Sequence, residues 1–580
     1  MINTTIPNLA AALTSLLLLI SPMARSAPAA DCDLIIYNAR ILTVDKDFSI
    51  AQAIAVKGSK FIAVGSNDEI IKLADGSTEK FDLKGKTVIP GLIEAHLHPE
   101  LASTSELFDE IPDVHTINEL LDWVKSQAQK KKPGQGIVFP KFFPTRLIEK
   151  REPTKDELDK AAPQNPVFLN GSYAGVINSA ALQISGINKD TKNPGILKDP
   201  DTGRPTGFIR ASAFSLLKDL TSPNLTYEEK LNALADMLKR YNSVGITSIT
   251  SGGGGNENLK MYRDLKKSGC LTARVFQNIY IRFDLTAPIE EIRKNILSLG
   301  YHTGSGDEWV RVGALKTSMD GGILTGTAYM RQPWGTRAKK IFGITDPAYR
   351  GVLKITKEQL IPIADIANQT GWKFTAHCTG GGAVDIMLDA FEEINKSRPI
   401  KDRRFSIIHG NFFTPQAIEK MKTLGVYADA QPVWFYKDAD ALKYVLGDER
   451  IETFLPFRSL FDAGVIVNGG SDHMVKFDSY SAINPYNPFL SMYTAVTRKT
   501  ERGSLITPSE AITRPQALKM YTINNAYASF EEDIKGSIEP GKLADFAVLD
   551  TDLLSCPADD IKDIKVLATY LDGRLIYKQK

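Results

Sequence analysis

The sequence is poor in cysteine, with only four in 580 residues: Cys32, Cys270, Cys378 and Cys556. This density is far below that of a disulfide-rich scaffold, so the fold must depend on its apolar core. If all four cysteines were bridged, three pairings would be open. Because no CxxC spacing occurs among them, a zinc site built from paired thiolates is excluded.

Net charge is also nearly absent. The formal charge is +2, which gives no overall field that would favour nucleic acid or an acidic membrane surface. One basic run, residues 130–132, stands beside Pro133 and Gly134 and is typical of a solvated loop. We therefore expect no nucleic-acid partner. With 43% hydrophobic and 24% charged residues, the chain has the composition of a soluble globular protein.

The N-terminus holds one apolar stretch, Leu9 to Ile20, which is too short to cross a bilayer comfortably. Pro22 and the small residues 27–30 follow it, which is typical of a signal peptide and its cleavage site. We predict a signal peptide at residues 1–29 and an exported mature protein, periplasmic or secreted, without stable membrane insertion. Because no Lys or Arg precedes the stretch, anchoring by an uncleaved N-terminal segment is the alternative.

Both ends of the chain carry a β pattern. Short apolar runs separated by turn residues occur over residues 33–86 and again over residues 544–577. We predict that residues 31–88 and 536–580 pair into one small composite β-sandwich domain.

Residues 89–535 alternate strands and helices, which indicates an α/β fold with a parallel sheet. The number of units favours a (β/α)8 TIM-like barrel. Thr356 and Gln359 form a capping-box pattern at the start of one of its helices. The alternation is lost at about residues 100–230, which hold Pro-rich loops and a predicted helix from Ile117 to Lys130. We predict that this segment is an insertion domain over the barrel mouth.

A run of glycines, Gly252–Gly255, follows the predicted strand Ile246–Thr250. It lacks the Lys-Ser/Thr ending of a phosphate-binding loop. We therefore expect a mobile loop between a strand and a helix at these positions.

Four of the seven histidines fall at the ends of predicted strands, and an aspartate ends the last strand. The five residues are His96, His98, His377, His409 and Asp472. Residues i and i+2 of a strand point to the same side, so His96 and His98 can reach one cation. Since barrel enzymes gather their catalytic groups at this end of the strands, the pattern predicts a divalent metal site. Imidazole and carboxylate ligands favour zinc without excluding other divalent metals.

Several motifs together resemble the amidohydrolase superfamily, and within it the branch called amidohydrolase family 3, or YtcJ-like. In chain order they are VIPGLIEAHLH, LKTSMDGG, the two later strand-end histidines, GGSD and GSIEPGKLADFAVLD. The resemblance covers nearly the whole chain after the N-terminal stretch. The order of the motifs is more specific than any one of them.

The resemblance implies a ligand set. His96, His98 and Asp472 would bind one metal, and Lys316, carboxylated by CO₂ to N6-carboxylysine, would bridge to a second. His377 and His409 would hold that second ion. An unmodified Lys316 with a mononuclear site is the alternative. One or two ions are therefore expected.

The resemblance also implies hydrolysis of a non-peptide C–N bond in an amide, an N-formyl or N-acyl amine, or a cyclic amide. Metal-activated hydroxide would attack, with Asp472 as the catalytic base and then acid. Alternatives are hydrolysis of another bond, in an ester or by aminohydrolase-type deamination, or a non-enzymatic binding or regulatory protein. The expected partners are a small-molecule substrate and further copies of the chain in a homo-oligomer.

Four further residues are candidates for substrate contact: Tyr173, Arg210, Asp320 and His473. Tyr173 stands where YtcJ-like relatives often have histidine, which puts any borrowed specificity in doubt. Arg210 could meet a substrate carboxylate, although a structural ion pair is the alternative. His473 follows Asp472 but points the opposite way in an extended chain.

Overall fold

A computed structural model describes Met1 and residues 32–107, 110–218, 220 and 225–580. Apart from Met1, the predicted signal peptide lies outside these residues. Within the described part of the chain, no helix combines the length and apolarity needed to cross a bilayer.

Eight parallel strands form the central sheet, which confirms the predicted TIM-like barrel. Their order in the sheet follows the chain, so each strand pairs with the next. The strands are Leu92–Leu97, Ile246–Gly254, Arg274–Tyr280, Val310–Ser318, Phe374–Cys378, Ser406–His409, Tyr427–Ala430 and Val467–Gly469. We refer to them below as the first to the eighth barrel strand.

The first and eighth strands meet just beyond their ends. The Asp472 N–H donates to the His96 carbonyl over 2.7 Å, and the His98 N–H donates to the His473 carbonyl over 2.7 Å. These main-chain bonds close the ring of strands at the carboxyl end of the first strand.

Helices follow the strands and pack around them. They are Pro99–Ala102, Tyr227–Asn242, Asn256–Lys267, Ile289–Leu297, Arg337–Phe342, Lys357–Gln369, Gly381–Ser397, Pro415–Leu424, Pro432–Leu446, Asp448–Ile451, Phe457–Asp462, Pro488–Thr497, Arg514–Met520 and Ile523–Ala528. The predicted capping box is present: the Gln359 N–H donates to the Thr356 hydroxyl, and the Gln359 side chain accepts from the Thr356 N–H. This reciprocal cap starts the helix at the residue that the sequence indicates.

The terminal segments form two sheets. The first contains Lys60–Gly65, Ala53–Lys57, Leu34–Tyr37 and Glu79–Asp82. The second contains Arg574–Lys578, Val566–Leu571, Phe546–Leu549, Thr87–Pro90, Arg40–Leu42 and Ile50–Ala51, so it joins both ends of the chain. Ile36 and Val56 of the first sheet share one buried cluster with Val88 and Phe546 of the second.

The segment between the first and second barrel strands has its own sheet and core. Its strands are Ile137–Pro140, Val167–Asn170, Ala174–Ile177, Ile196–Lys198 and Pro205–Arg210. Its helices are Ile117–Lys130, Lys155–Ala161 and Ser179–Ile184. The first of these spans the residues that the sequence predicts.

The predicted mobile loop at Gly252–Gly255 needs correction. The second barrel strand continues through Gly254, so most of the glycine run is strand and not loop. All four cysteines lie in the described part of the chain and are free thiols, so none of the three pairings forms there.

A buried ion-pair cluster joins the third barrel strand to the C-terminal segment. The Arg274 guanidinium, 1% exposed, donates to the two carboxylate oxygens of Asp545 over 2.7 and 3.1 Å. It also donates to Asp572. One cation therefore neutralises two largely buried carboxylates and connects the barrel to the terminal sheets.

Replacing Arg274 with Met should lower the free energy of unfolding by about 3–5 kcal/mol, because it leaves two buried carboxylates without their cation. Chemical denaturation followed by circular dichroism measures the change. The matched control is Arg293→Met, which removes an exposed 3.5 Å ion pair with Glu290 and an exposed 3.1 Å hydrogen bond to Gln369 and should cost about 1 kcal/mol or less. Equal losses in the two variants would contradict this role of Arg274.

Candidate metal centre

Three predicted ligands meet where the first and eighth strands close the barrel. His96 Nε2 lies 3.5 Å and His98 Nε2 lies 3.4 Å from Asp472 Oδ1. One donor atom from each residue lies within 4.8 Å of the others. Two imidazoles and a carboxylate are a donor set that suits a divalent transition metal, so these residues fit the predicted ion.

Electrostatics hold the ligands in the protonation states that metal binding needs. Burial and the neighbouring Lys316 lower the pKa of His96 well below its ordinary value, which keeps its imidazole neutral. Burial acts to raise the pKa of Asp472, but the hydrogen bond from His98 and the nearby imidazoles outweigh it and lower that pKa. Neutral imidazole and ionised carboxylate are the forms that coordinate a cation.

Lys316 lies on the fourth barrel strand, inside the ring. Its Nζ is 3.2 Å from His96 Nε2, and the residue is 5% exposed. Burial lowers the pKa of Lys316 to about 8, so a part of its amine is neutral near physiological pH. Lys316 therefore lies beside the candidate ligands, and its role as a bridging ligand stays a prediction.

His377 and His409, from the fifth and sixth strands, lie beside each other with ring centroids 4.7 Å apart. Burial lowers the pKa of His409 to about 4, and its Nδ1 lies 2.7 Å from Gln431 Oε1. His377 Nε2 lies 2.9 Å from the Gly321 carbonyl, and its Nδ1 lies 3.3 Å from the Tyr173 hydroxyl. Both nitrogens of His377 thus have partners, and this ring would have to turn to hold a second ion.

The backbone is strained at two of these positions. His409 has a φ of 73° and Asp472 a φ of 55°, in the left-handed region that side chains other than glycine seldom adopt. Such residues cost about 1–3 kcal/mol each and cluster at functional sites. The turn at Asp472 follows the eighth strand and places the carboxylate opposite His98.

A cavity of about 330 Å³ opens above these residues. The barrel contributes the histidines, Lys316, Asp472 and Tyr280, and the insertion contributes Lys141, Phe143 and Tyr173. Apolar side chains cover much of the remaining wall: Leu101, Ile323, Leu324, Trp434 and Met474. The volume and lining are those of a small-molecule site with a few polar groups at its base.

Comparison with known proteins identifies the family. A family model described as "Amidohydrolase family" matches residues 79–577. The N-substituted formamide deformylase of Arthrobacter pascens is 30% identical over 567 residues, covering 94% of this chain and 98% of that protein. The putative amidohydrolase YtcJ of Bacillus subtilis (strain 168) is 25% identical, covering 93% and 98%. This chain belongs to the amidohydrolase family.

A solved structure agrees in fold. The crystal structure of an uncharacterized metal-dependent hydrolase from Pyrococcus horikoshii OT3 matches with a TM-score of 0.68 and 23% identity, covering 91% of this chain and 99% of that one. Family membership confirms the prediction of a hydrolase that acts on C–N bonds other than peptide bonds.

Within this amidohydrolase, one of the four predicted substrate contacts lines the metal cavity, namely Tyr173. The Arg210 guanidinium packs 5.1 Å above the Tyr349 ring beside a separate small void. His473 is fully buried, with its Nδ1 2.9 Å from the Tyr241 hydroxyl. We therefore correct the prediction for Arg210 and His473, whose side chains face other parts of the structure.

Asp320 also has a structural position. Its carboxylate accepts hydrogen bonds of 2.8–2.9 Å from the backbone N–H groups of Tyr329, Thr379 and Gly380. The side chain is fully buried and ties the loop after the fourth strand to the end of the fifth. The predicted substrate contact at Asp320 is corrected to an anchor for these loops.

The sequence analysis did not identify the residues that contact the ring nitrogens of His96 and His409. Asp429 Oδ2 lies 3.8 Å from His96 Nδ1. Gln431 contacts both His409 and Asp429, so one amide couples the two supports. Asp429 lies in the seventh barrel strand, Tyr427–Ala430, and Gln431 directly follows it. Two-residue alternation from Tyr427 was the signal that could have found them.

The Gly252 backbone fits closely against the ligands. A Cβ at this position would lie 2.8 Å from His96 Nε2 and 2.9 Å from His98 Cε1. The second strand can pass this close to the two imidazoles because residue 252 has no side chain.

Gly252→Ala should push the two imidazoles out of position and weaken Zn²⁺ affinity at least about 10-fold, as changes in the groups that support ligands do. Gly255→Ala is the matched control, since a Cβ there meets nothing within 4 Å. Zinc titration with a competing chelator measures the affinity, and circular dichroism checks the fold. Unchanged affinity in Gly252→Ala would show that the ligands lie elsewhere.

Proposed function

We propose that this amidohydrolase removes a small acyl group, most simply formyl, from an N-substituted amine, using Zn²⁺. The observation that carries the proposal is the convergence of His96, His98 and Asp472 beneath a cavity of about 330 Å³. The 30% identical relative that acts on N-substituted formamides supports this substrate class.

The three converging residues would hold the ion. When bound, a divalent cation supplies Lewis acidity that activates water and polarises a carbonyl at neutral pH. The protein supplies the proton transfers. Asp472 lies at the cavity base and is held ionised, so it can accept a proton from the attacking water and return it to the leaving amine.

Tyr173 is placed to donate a hydrogen bond during hydrolysis. Burial raises the pKa of its phenol well above the ordinary value, so the hydroxyl stays protonated and can donate a hydrogen bond. Its oxygen lies 3.3 Å from His377 Nδ1 at the cavity wall. A donor held there would stabilise negative charge that develops on the acyl oxygen.

The apolar lining would accept the N-substituent. Trp434 stacks on His409 with ring centroids 4.6 Å apart, and this places a flat apolar surface next to the ligands. Leu101, Ile323 and Leu324 extend it. Burying an apolar substituent against these side chains favours binding by about 25 cal/mol per Å².

Carboxylation of Lys316 and a second metal belong to the same proposal. The buried Lys316 amine beside His96 supports carboxylation, which needs the neutral form. Export of the mature protein and homo-oligomer formation are also proposed. Export rests on the apolar stretch Leu9 to Ile20 and on the small residues that follow it.

Substitution at Asp472 tests the chemistry. Asp472→Asn should lower kcat for release of formate from N-formyl amines about 10²–10⁴-fold, because no carboxylate remains to transfer the proton. Arg210→Met is the control and should retain activity, since Arg210 packs against Tyr349 instead. In the wild type, a larger rate enhancement over the uncatalysed reaction for a matched formate ester than for the formamide would favour the alternative ester activity.

Metal content tests the role of Lys316. We expect about two metals per chain in the native protein and about one or fewer in Lys316→Ala, because the variant lacks the bridging group. Elemental analysis of both proteins gives the ratio. About one metal in each would contradict the bridge and favour a mononuclear site at His96, His98 and Asp472.

A further inference from the structure

A second cavity, of about 200 Å³, adjoins the metal cavity. Lys141 and Phe143 line both, so these two insertion residues form the wall that the cavities share. No role in the proposed chemistry uses this second space.

Most charged groups around the second cavity are already paired. Arg146 donates to both oxygens of Asp438 over 2.8 and 3.0 Å. Lys437 is bound to Glu501. Each of these cations is therefore neutralised by the protein itself.

Lys141 is different. It is half-buried, and its ammonium has no hydrogen-bond or ion-pair partner among the described residues. Lys141 and Asp472 line the same metal cavity. A partly desolvated cation without a partner is costly unless an anion joins it.

The backbone holds Lys141 at this junction. The residue follows the insertion strand Ile137–Pro140 and has a φ of 56°. The next residue, Phe142, donates its N–H to the Asn170 carbonyl over 2.8 Å. Left-handed backbone at a lysine is rare, and such positions cluster at functional sites.

We propose that the second cavity is a carboxylate subsite, in which Lys141 binds a carboxylate carried by the amine part of the substrate. This inference rests on the proposed function and narrows its substrates to N-acyl amines with a carboxylate several bonds from the scissile nitrogen. The acyl group would lie at the metal ligands, and the chain would pass Phe143 into the second cavity.

The charge at the junction favours a monoanion. Lys141 is the half-buried cation that lines both cavities, whereas Asp472 on one side and Asp113 and Glu501 on the other are carboxylates. Arg502 also lines the second cavity, but it is exposed, so water screens its charge. A dianion such as phosphate would meet more repulsion from these carboxylates than Lys141 can offset, whereas one carboxylate matches its charge.

A matched substrate pair tests the subsite in the metal-loaded protein. N-formyl-6-aminohexanoate and its neutral carboxamide differ only in the distal group. We expect the wild type to prefer the acid by about 10- to 100-fold in kcat/KM, the range of a charge-assisted hydrogen bond. Lys141→Met should abolish this preference through KM and leave the carboxamide nearly unaffected.

Two further variants complete the test. Lys141→Arg keeps the charge and should keep the preference for the acid. Lys132→Met, the same change at an exposed lysine of the insertion that lines neither cavity, should behave as wild type. Equal kcat/KM values of the wild type for the acid and the carboxamide would overturn the subsite. So would an equal fall in kcat/KM for both substrates in Lys141→Met.

Binding of a non-reacting probe separates this proposal from the catalytic one. By calorimetry, hexanoate should bind the metal-loaded wild type about 10-fold more tightly than it binds Lys141→Met. If neither formamide is hydrolysed but this difference is present, the proposed function fails and the subsite stands. If hexanoate binds both proteins equally, the subsite is refuted whether or not the formamides are hydrolysed.

Discussion

Two main-chain hydrogen bonds at the seam of the barrel determine the rest of the site. They join His96 to Asp472 and His98 to His473, each over 2.7 Å. The residues joined by these bonds include the candidate metal ligands. The hydrogen bonds that close the barrel therefore also bring the ligands together. Glu94 secures the seam from inside by accepting the Ser471 N–H over 2.7 Å.

The surroundings of the seam serve the ligands in different ways. Gly252 leaves the space that the two imidazoles occupy. Asp429 lies behind His96, and Gln431 links Asp429 to His409. These contacts come from the second strand and from the seventh strand and the residue after it, so the geometry of the site depends on separate parts of the ring and not on one loop. Arg274 of the third barrel strand binds Asp545, which precedes a strand of the terminal sheets, and so connects the ring to those sheets.

The sequence predicted what local patterns and motifs determine. The helix that starts after Thr356 follows its capping box, and the helix Ile117–Lys130 has the predicted ends. The strand-end pattern found His96, His98 and Asp472, because side-chain alternation and the barrel rule together fix where they point.

What the sequence could not show depends on contacts between distant segments. The glycine run has the composition of a loop, but it continues the second strand, because Ser251 pairs with Leu97 of the first strand and Gly254 pairs with Ile279 of the third. His473 and Arg210 carry suitable chemical groups, but their directions are set by Tyr241 and Tyr349, far away in the chain. The shared wall at Lys141 arises only when the insertion folds over the barrel.

The central claim is that the closed seam binds one catalytic metal through His96, His98 and Asp472. Anomalous diffraction at the zinc absorption edge, from crystals of the metal-loaded protein, tests it most directly. The account predicts a peak within coordination distance of His96 Nε2, His98 Nε2 and an Asp472 carboxylate oxygen, at about 2.0–2.2 Å. A peak bound by other residues, or none after reconstitution with Zn²⁺, would contradict it.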